Sequence, residues 1–131
     1  MPTETNIEVR LKKELKDAAL GWSIAWPNQP YSGSKPYLVA QIVRIDRRDD
    51  THDGTLTISQ GRMIVTVVSE KGKSTRTSNT MADQVAAVFP HGKRMTVTGG
   101  EIVIMKPPLI QDGFPQDADW RTPVIIDYQA S

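Results

Sequence analysis

The chain has 131 residues, and its 16 basic and 15 acidic side chains give a formal net charge of +1 at pH 7. This balance excludes bulk electrostatic attraction to nucleic acid or to an anionic membrane as the main basis of function. The absence of cysteine excludes disulfides and thiolate metal sites. The length suits one domain over residues 1–131. The chain has 11 isoleucines and 11 valines against 6 leucines, which favours a β-sheet with a small helical component.

The N-terminal stretch is predicted to be an amphipathic helix. Thr5 could be the N-cap with Glu8 as its capping-box partner, and Gly21 could end the helix. The apolar residues recur three or four positions apart and form one stripe: Ile7, Leu11, Leu15, Ala18 and Trp22. This stretch lacks the apolar core of a signal peptide, and no run in the chain reaches transmembrane length. A soluble cytoplasmic protein is therefore expected.

The next part of the chain is predicted to be extended. Three prolines in residues 22–36 indicate a connector, with a short edge strand at residues 23–26. Residues 37–45 (YLVAQIVRI) and 62–69 (RMIVTVVS) are predicted strands. The second of these begins earlier if Gly61 marks a bulge.

A charged loop and a second helix complete the middle of the chain. Residues 46–55 (DRRDDTHDGT) are predicted to be the loop. Thr80 is the expected N-cap of the helix, with Asp83 at its third position, and Pro90 ends the helix. Its apolar face carries Met81, Val85 and Phe89.

The last third of the chain is predicted to contain strands and one long loop. Residues 94–98 and 101–106 surround Gly99-Gly100 and form either a hairpin or one kinked strand. Residues 107–119 (PPLIQDGFPQDAD) are predicted to be a loop, and residues 122–129 the final strand.

The stretch Gly72-Lys73-Ser74-Thr75 is similar to part of a nucleotide-binding P-loop, G-x-x-x-x-G-K-S/T. Three features argue against that function. Val67 stands where the first glycine is required, and only residues 69–71 remain between strand and Gly-Lys. The helix signal at Thr80 comes several residues too late to direct its N–H groups at a phosphate. We predict a basic connector instead.

Other candidate sites are weaker still. Residues 49–54 (DDTHDG) group carboxylates with a histidine and could bind a hard cation weakly, but they lack EF-hand spacing. His91 has no partner at a recognised catalytic spacing, so no enzymatic activity is predicted. The aromatic residues, which could stack on single-stranded nucleic acid, are spread along the chain. No metal or other cofactor is predicted.

Several segments in order give the chain a family resemblance. They are the N-terminal amphipathic helix and the following stretches: IAWPNQPY (24–31), KPYLVAQIV (35–43), SQGRMIVTVVSEKGKST (59–75), MADQVAAVFPHGKR (81–94), GGEIVIMKPP (99–108) and WRTPVIIDY (120–128). In this order and spacing the chain resembles the tail terminator proteins of long-tailed bacteriophages and prophages. Ala82, Asp83, Phe89 and Gly92 occupy the family's positions in the second helix and after it, whereas Lys71 stands where small or polar residues are usual.

The resemblance implies an α+β fold, in which a mainly antiparallel sheet of four to five strands is packed by two helices. It also implies a structural virion protein without chemistry. Such a protein caps the tail tube as a ring, usually a hexamer, stops tube polymerisation and offers a surface to the head and neck proteins. The alternatives are another head–tail joining or minor tail protein, or a single-stranded nucleic-acid-binding domain.

The expected partners are copies of the chain, the tail tube protein and a head-completion or neck protein, with no membrane and no sequence-specific nucleic acid. Apolar residues of the 107–119 loop are costly to leave in water, so they either contact a subunit or the tube, or fold back over the sheet edge. The charged loops at residues 46–54 and 70–79 could contact neighbouring subunits or the end of the tube. The candidate interface residues are Arg47, Arg48, Asp49, Asp50, Lys71, Lys73, Arg76, Pro107, Pro108, Leu109, Ile110 and Phe114.

Overall fold

The computed structural model describes residues 2–18, 21–26, 36–49, 57–70, 72, 76–117 and 119–131. The helices are α1 (Glu4–Asp17) and α2 (Arg76–Val88). The strands are β1 (Ile24–Ala25), β2 (Tyr37–Asp49), β3 (Thr57–Glu70), β4 (Arg94–Val97), β5 (Gly100–Ile104), β6 (Leu109–Ile110), β7 (Phe114–Gln116) and β8 (Asp119–Ala130). No helix among these residues is long and apolar enough to span a membrane.

The eight strands form one curled sheet, with β8 at its centre. The strand order is β1-β2-β3-β8-β5-β4, and β6 and β7 also pair with β8. One edge of β8 pairs with β3 along its whole length, and its other edge pairs in turn with β7, β6 and β5. Only β1 and β2 run parallel among the described pairs.

The broad α+β prediction is confirmed, but the prediction of a mainly antiparallel sheet of four to five strands is wrong. Strands make up about half of the described residues and form a half-barrel of eight strands that contains a parallel pair. Two of them, β6 and β7, lie inside residues 107–119, which were predicted to be a loop. Strands of two or three residues carry no periodic pattern, and their hydrogen bonds exist only because β8 lies beside them.

Helix α1 begins earlier than predicted. The N-cap is Thr3, whose hydroxyl accepts a 3.2 Å hydrogen bond from the Asn6 N–H, and not Thr5. The C-cap is Ala18, so the helix ends before Gly21. Both threonines have a hydroxyl suited to capping, and the added first turn is held by contacts of Glu4 that are distant in sequence. The predicted apolar stripe is confirmed over Ile7, Leu11 and Leu15, which are buried.

Helix α2 also begins earlier, at Arg76 instead of after Thr80. The Thr80 hydroxyl donates a 2.8 Å hydrogen bond to the Arg76 carbonyl, so it acts inside the helix and not as a cap. A threonine can make this bond to the preceding turn, which explains why a cap residue type is tolerated there. The predicted apolar face is confirmed because Met81, Val85 and Phe89 are fully buried.

The β2–β3 hairpin is longer than predicted. Strand β2 continues to Asp49, so residues 46–49 of the predicted 46–55 loop belong to the strand, and β3 begins at Thr57. Residues 50–55 lie outside the described part of the structure. The register shifts on β2 between Arg44 and Asp46, opposite Gly61. The irregularity thus lies on the strand that faces the glycine.

Gly61 has a specific packing role. It pairs with Tyr128 on β8, whose ring lies against the glycine backbone. A Cβ atom added at Gly61 would lie 2.4 Å from the Tyr128 hydroxyl oxygen and 2.9 Å from the Val43 carbonyl oxygen. Only glycine leaves room for the ring at this position.

One face of the sheet, here called the inner face, packs against both helices. Alternate strand residues point to this side and join the apolar faces of α1 and α2 in one core. The largest fully buried side chains are Tyr128, Phe89, Ile7, Leu11, Leu15, Leu38, Met63, Met81, Met95, Ile102, Ile104 and Ile126. The opposite, outer face is covered by neither helix.

Candidate assembly surface

The outer face carries large apolar side chains that remain in contact with solvent. Val43 and Ile45 on β2 are 37% and 55% exposed. Leu109 on β6 and Phe114 on β7 are 56% and 43% exposed. Since the core already occupies the inner face, these residues contribute little to it. Exposed apolar patches of this kind often mark contacts with partners.

The strand register places several of these side chains in one row. Ile64 on β3 pairs with Ile125 on β8, and Ile125 pairs on its other side with Leu109. Directly opposed residues of an antiparallel pair lie on the same face of the sheet. Ile64, Ile125 and Leu109 therefore form an apolar row across three strands of the outer face.

A charged cluster lies beside this row. Asp127 accepts a 2.9 Å hydrogen bond from the Arg62 guanidinium, and its other oxygen is 3.0 Å from the Lys106 ammonium. Next to it is a shallow cavity of about 210 Å³, lined in part by Ile45 and Met105. An apolar row flanked by paired charges resembles the composition of a protein–protein interface.

Residues 107–117, here called the edge segment, form the border of the sheet beside the middle of β8. The Gln111 N–H donates a 3.0 Å hydrogen bond to the Pro123 carbonyl, so the segment does lie along the sheet edge. Leu109, Ile110 and Phe114 nevertheless stay 56%, 37% and 43% exposed. Pro107 is exposed and Pro108 is half-buried. The segment both covers the edge of β8 and presents apolar side chains outward.

Trp120 anchors the edge segment. Its indole lies against the backbone of Gly113, so closely that an added Cβ there would be 2.2 Å from the indole nitrogen. The neighbouring β7 residue Pro115 pairs with Trp120 and offers no N–H to an incoming strand. The apolar side chains of the segment are therefore held in place on a packed support.

The first group of predicted charged contact residues, Arg47 to Asp50, does not lie in a loop where it is described. Arg47 lies on β2 and reaches Glu4 of α1 at 3.5 Å, while Arg48 is exposed on the same strand. Asp49 ends β2, and its side chain lies outside the described part of the structure, as do Asp50 and the rest of the predicted 49–54 cation site. Arg47 thus already has an intramolecular partner.

The second predicted charged group lies only partly within the described residues. Lys71 and Lys73 fall outside them, whereas Arg76 is exposed at the start of α2. Helix α2 begins at Arg76, so the predicted start at Thr80 is wrong and the distance between Gly72-Lys73 and the helix is shorter than predicted. Val67 still excludes the motif, since it is fully buried within β3 at the place of the first glycine.

Four of the aromatic residues considered for stacking on nucleic acid make contacts within the fold. Trp22 and Trp26 pack against the core, and the Trp22 indole N–H donates a 2.8 Å hydrogen bond to Gln84. Tyr128 is buried and Trp120 covers Gly113. Within the described ranges, no three histidine or carboxylate side chains converge as cation ligands.

Sequence reasoning missed a groove beside α1. Val9 lies off the apolar stripe of the helix and is 58% exposed. The Lys12 ammonium lies 5.9 Å from the centroid of the Trp26 ring, within cation–π range. These residues line a shallow groove of about 430 Å³. The only local signal was an isolated valine among charged residues. The rest of the groove depends on Trp26, which meets α1 only in the folded chain.

Helix α1 is fixed over the inner face by a charged cluster. Glu14 accepts a 2.7 Å hydrogen bond from Arg10 and pairs with Lys93, whose ammonium also donates to the Val88 carbonyl at the end of α2. The hydrogen bond from Lys93 is the main cause that lowers the pKa of the Glu14 carboxyl. Desolvation opposes this shift, and Arg10 reinforces it.

Tyr128 is the most perturbed titratable group of the inner face. Burial, assisted by the nearby charge of Glu4, raises the pKa of its hydroxyl to about 12. The hydroxyl has no hydrogen-bond partner among the described residues. Its environment therefore strongly favours the neutral phenol.

Comparisons with known proteins agree with the fold and with the resemblance in sequence. Among curated proteins, no significant match is found. Two solved protein chains match significantly. One of them, whose name states no function, superposes with a TM-score of 0.76 at 22% identity, covering 97% of this chain and 92% of its own. That likeness shows the fold alone. A family model described as phage tail terminator protein matches residues 6–128, so the chain belongs to the phage tail terminator family.

Proposed function

We propose that copies of this chain form a ring, most simply a hexamer, on the end of the completed tail tube. The ring stops further polymerisation of tube subunits and offers a surface to a head-completion or neck protein. The protein works in the virion tail after assembly in the host cytoplasm. It is a structural protein, in keeping with its family, and its role is one of contact and not of chemistry.

One observation supports this function above the others: an apolar outer face that neither helix covers. Leu109 and Phe114 keep about half of their surface in water, although they lie on strands fixed to β8. Burial of the half of each side chain that remains exposed is worth about 1 kcal/mol each, since full burial of a large apolar side chain is worth roughly 1.5–3 kcal/mol. An assembly interface accounts for their presence, whereas the core does not.

The protomer also has two different candidate contact surfaces, which favours a ring. A closed ring is built from heterologous contacts, so each protomer needs two different complementary surfaces. The outer face with its edge segment provides one, and the exposed side of α1, on the other side of the sheet, provides a second.

Tail length in a terminator-deficient phage tests the proposed function. Without the protein, tubes should grow beyond the normal length in electron micrographs. Supplying the wild-type chain should restore uniform tails with a sixfold ring at one end. Uniform tails in its absence would refute a role in terminating the tube.

A double variant tests the apolar surface. Leu109→Asp with Phe114→Asp should abolish ring formation and capping but leave the circular dichroism spectrum and melting temperature nearly unchanged, because both side chains are partly exposed. Thr77→Asp with Asn79→Asp adds the same charge at exposed positions of α2 and is the matched control. Normal capping by the first variant would exclude this surface from assembly.

A further inference from the structure

A basic groove lies between the exposed side of α1 and the chain at Trp26. Its volume is about 430 Å³, and its lining residues are Val9, Lys12, Lys13, Lys16, Asp17 and Trp26. Three lysines against one aspartate give the lining a formal charge of +2. Val9, 58% exposed, and Trp26 supply an apolar floor.

Two of the three groove lysines, Lys13 and Lys16, are available to a partner, whereas Lys12 is paired with Glu8 at 3.0 Å. Lys13 lies 3.6 Å from Asp17 with both side chains about two-thirds exposed, and such pairs contribute little to stability. Lys16 forms no ion pair with any other residue in the described part of the chain. An incoming carboxylate could therefore bind either lysine at small cost.

The edge segment has the opposite charge and a matching apolar character. Residues 107–117 contain two aspartates and no basic residue, which gives a formal charge of −2. Asp112 and Asp117 are exposed and form no ion pair with another described residue. Between them lies Phe114, 43% exposed, and Leu109 precedes them on the same segment.

We infer that the edge segment of one protomer docks in the basic groove of the next. The partner is a second copy of this chain, because the two surfaces complement each other both in charge and in apolar content. Apolar contacts to Val9 and Trp26 would bury Phe114 or Leu109, while Asp112 and Asp117 would bind the groove lysines. The inference rests on the proposed ring, and it names the two surfaces that join its protomers.

The arrangement is heterologous, since the groove is built on α1 and the edge segment on β6 and β7. Each protomer therefore uses both surfaces at once, and repetition yields a ring when the rotation between neighbours closes. The electrostatic part of the contact also predicts that association weakens as salt is added.

Cysteine cross-linking tests this contact directly, because the chain contains no native cysteine. Variants Asp112→Cys and Lys16→Cys are mixed and treated with a short bismaleimide, both in free solution and on assembled tail tubes. A covalent dimer should form in the mixture but not in either variant alone. Thr96→Cys, at an exposed position of β4 outside both surfaces, replaces Lys16→Cys in the control mixture.

Charge reversal gives an independent test. Lys13→Glu with Lys16→Glu should weaken association roughly tenfold or more, and Asp112→Lys with Asp117→Lys should do the same. Mixing the two reversed proteins should restore association up to an alternating closed ring. The acidic edge segment of the first variant meets the basic groove of the second, and the basic edge segment of the second meets the acidic groove of the first. The readouts are sedimentation velocity and native mass spectrometry.

The outcomes separate this inference from the proposed function. Cross-linked dimers together with restored association on mixing support the contact. Normal capping without cross-linking, or with unchanged association of the reversed variants, would overturn the contact and leave the terminator function intact. If the wild-type chain neither self-associates nor caps tubes, both ideas are wrong.

Discussion

The two faces of the sheet are built from the same strands but differ in how far their apolar side chains are buried. On the inner face, Ile126 of β8 is fully buried beneath the helices. On the outer face, Ile45 of β2 is 55% exposed. The inner face is apolar because folding requires it, whereas folding alone gives no reason for the outer side chains. The contrast separates residues that hold the domain together from residues available for assembly.

Truncation of one isoleucine on each face should show the largest difference. Ile126→Ala should lower the free energy of unfolding by about 2–5 kcal/mol, since it leaves a cavity in a packed core. Ile45→Ala should cost less than about 1 kcal/mol because its side chain is already half in water. Urea denaturation followed by fluorescence measures both. Equal losses would remove the distinction between the faces.

A smaller but still clear loss is expected at Gly61, the place where the inner face has no side chain. Gly61→Ala should cost about 1–3 kcal/mol, because the new methyl group meets the Tyr128 ring and the Val43 carbonyl. The loss should be smaller in a Tyr128→Ala background, where the ring is absent. An equal loss in both backgrounds would show that the ring is not responsible.

The ion pairs that hold α1 over the inner face should contribute less. Glu14→Gln should cost about 1 kcal/mol near neutral pH, since it removes the charge that Lys93 and Arg10 share. The folded carboxyl has a lowered pKa, so this stabilisation is present above the ordinary pKa and is lost as the pH falls through the folded value. Asp17→Asn is the exposed control. A wild-type advantage that persists in acid would contradict the assignment.

The smallest effect is expected at the Tyr128 hydroxyl. Tyr128→Phe should change stability by no more than about 1 kcal/mol near neutral pH, because the hydroxyl has no described hydrogen-bond partner. With the pKa of Tyr128 raised to about 12, stability is retained below the ordinary value and lost as the pH rises towards 12. The phenylalanine variant should lose this alkaline decline, while Tyr37→Phe should keep it. Identical alkaline melting curves for Tyr128→Phe and wild type would exclude the effect.

The parts of the fold that were predictable have a local periodic signal. The stripe of α1 and the face of α2 repeat every three or four residues, and both are buried as expected. The helix starts were missed because Thr5 and Thr80 have the chemistry of caps but lie inside their helices. At the start of α1, Glu4 contacts Ser59 and Arg44 on distant strands.

The candidate assembly surface was likewise predictable only in part. The exposed apolar residues of 107–117 stood out because polar, turn-forming neighbours surround them in sequence. The pairing of β6 and β7 with β8 could not be predicted, since its hydrogen bonds join segments with no shared local pattern. The basic groove could not be predicted from the sequence for the same reason, because Trp26 meets α1 only in the folded chain.

The two edges of β8 also have a consequence for amide hydrogen exchange. The ladder to β3 is continuous over twelve residue pairs, whereas the other edge is shared by three short strands. Neighbouring amides of an antiparallel strand point to opposite edges. The Asp127 carbonyl accepts a hydrogen bond from the Met105 N–H, so the backbone groups of Asp127 and Ile125 point towards the short strands. The backbone groups of Val124 and Ile126 therefore point towards β3. Exchange along β8 should therefore alternate residue by residue, slow towards β3 and faster towards the edge segment.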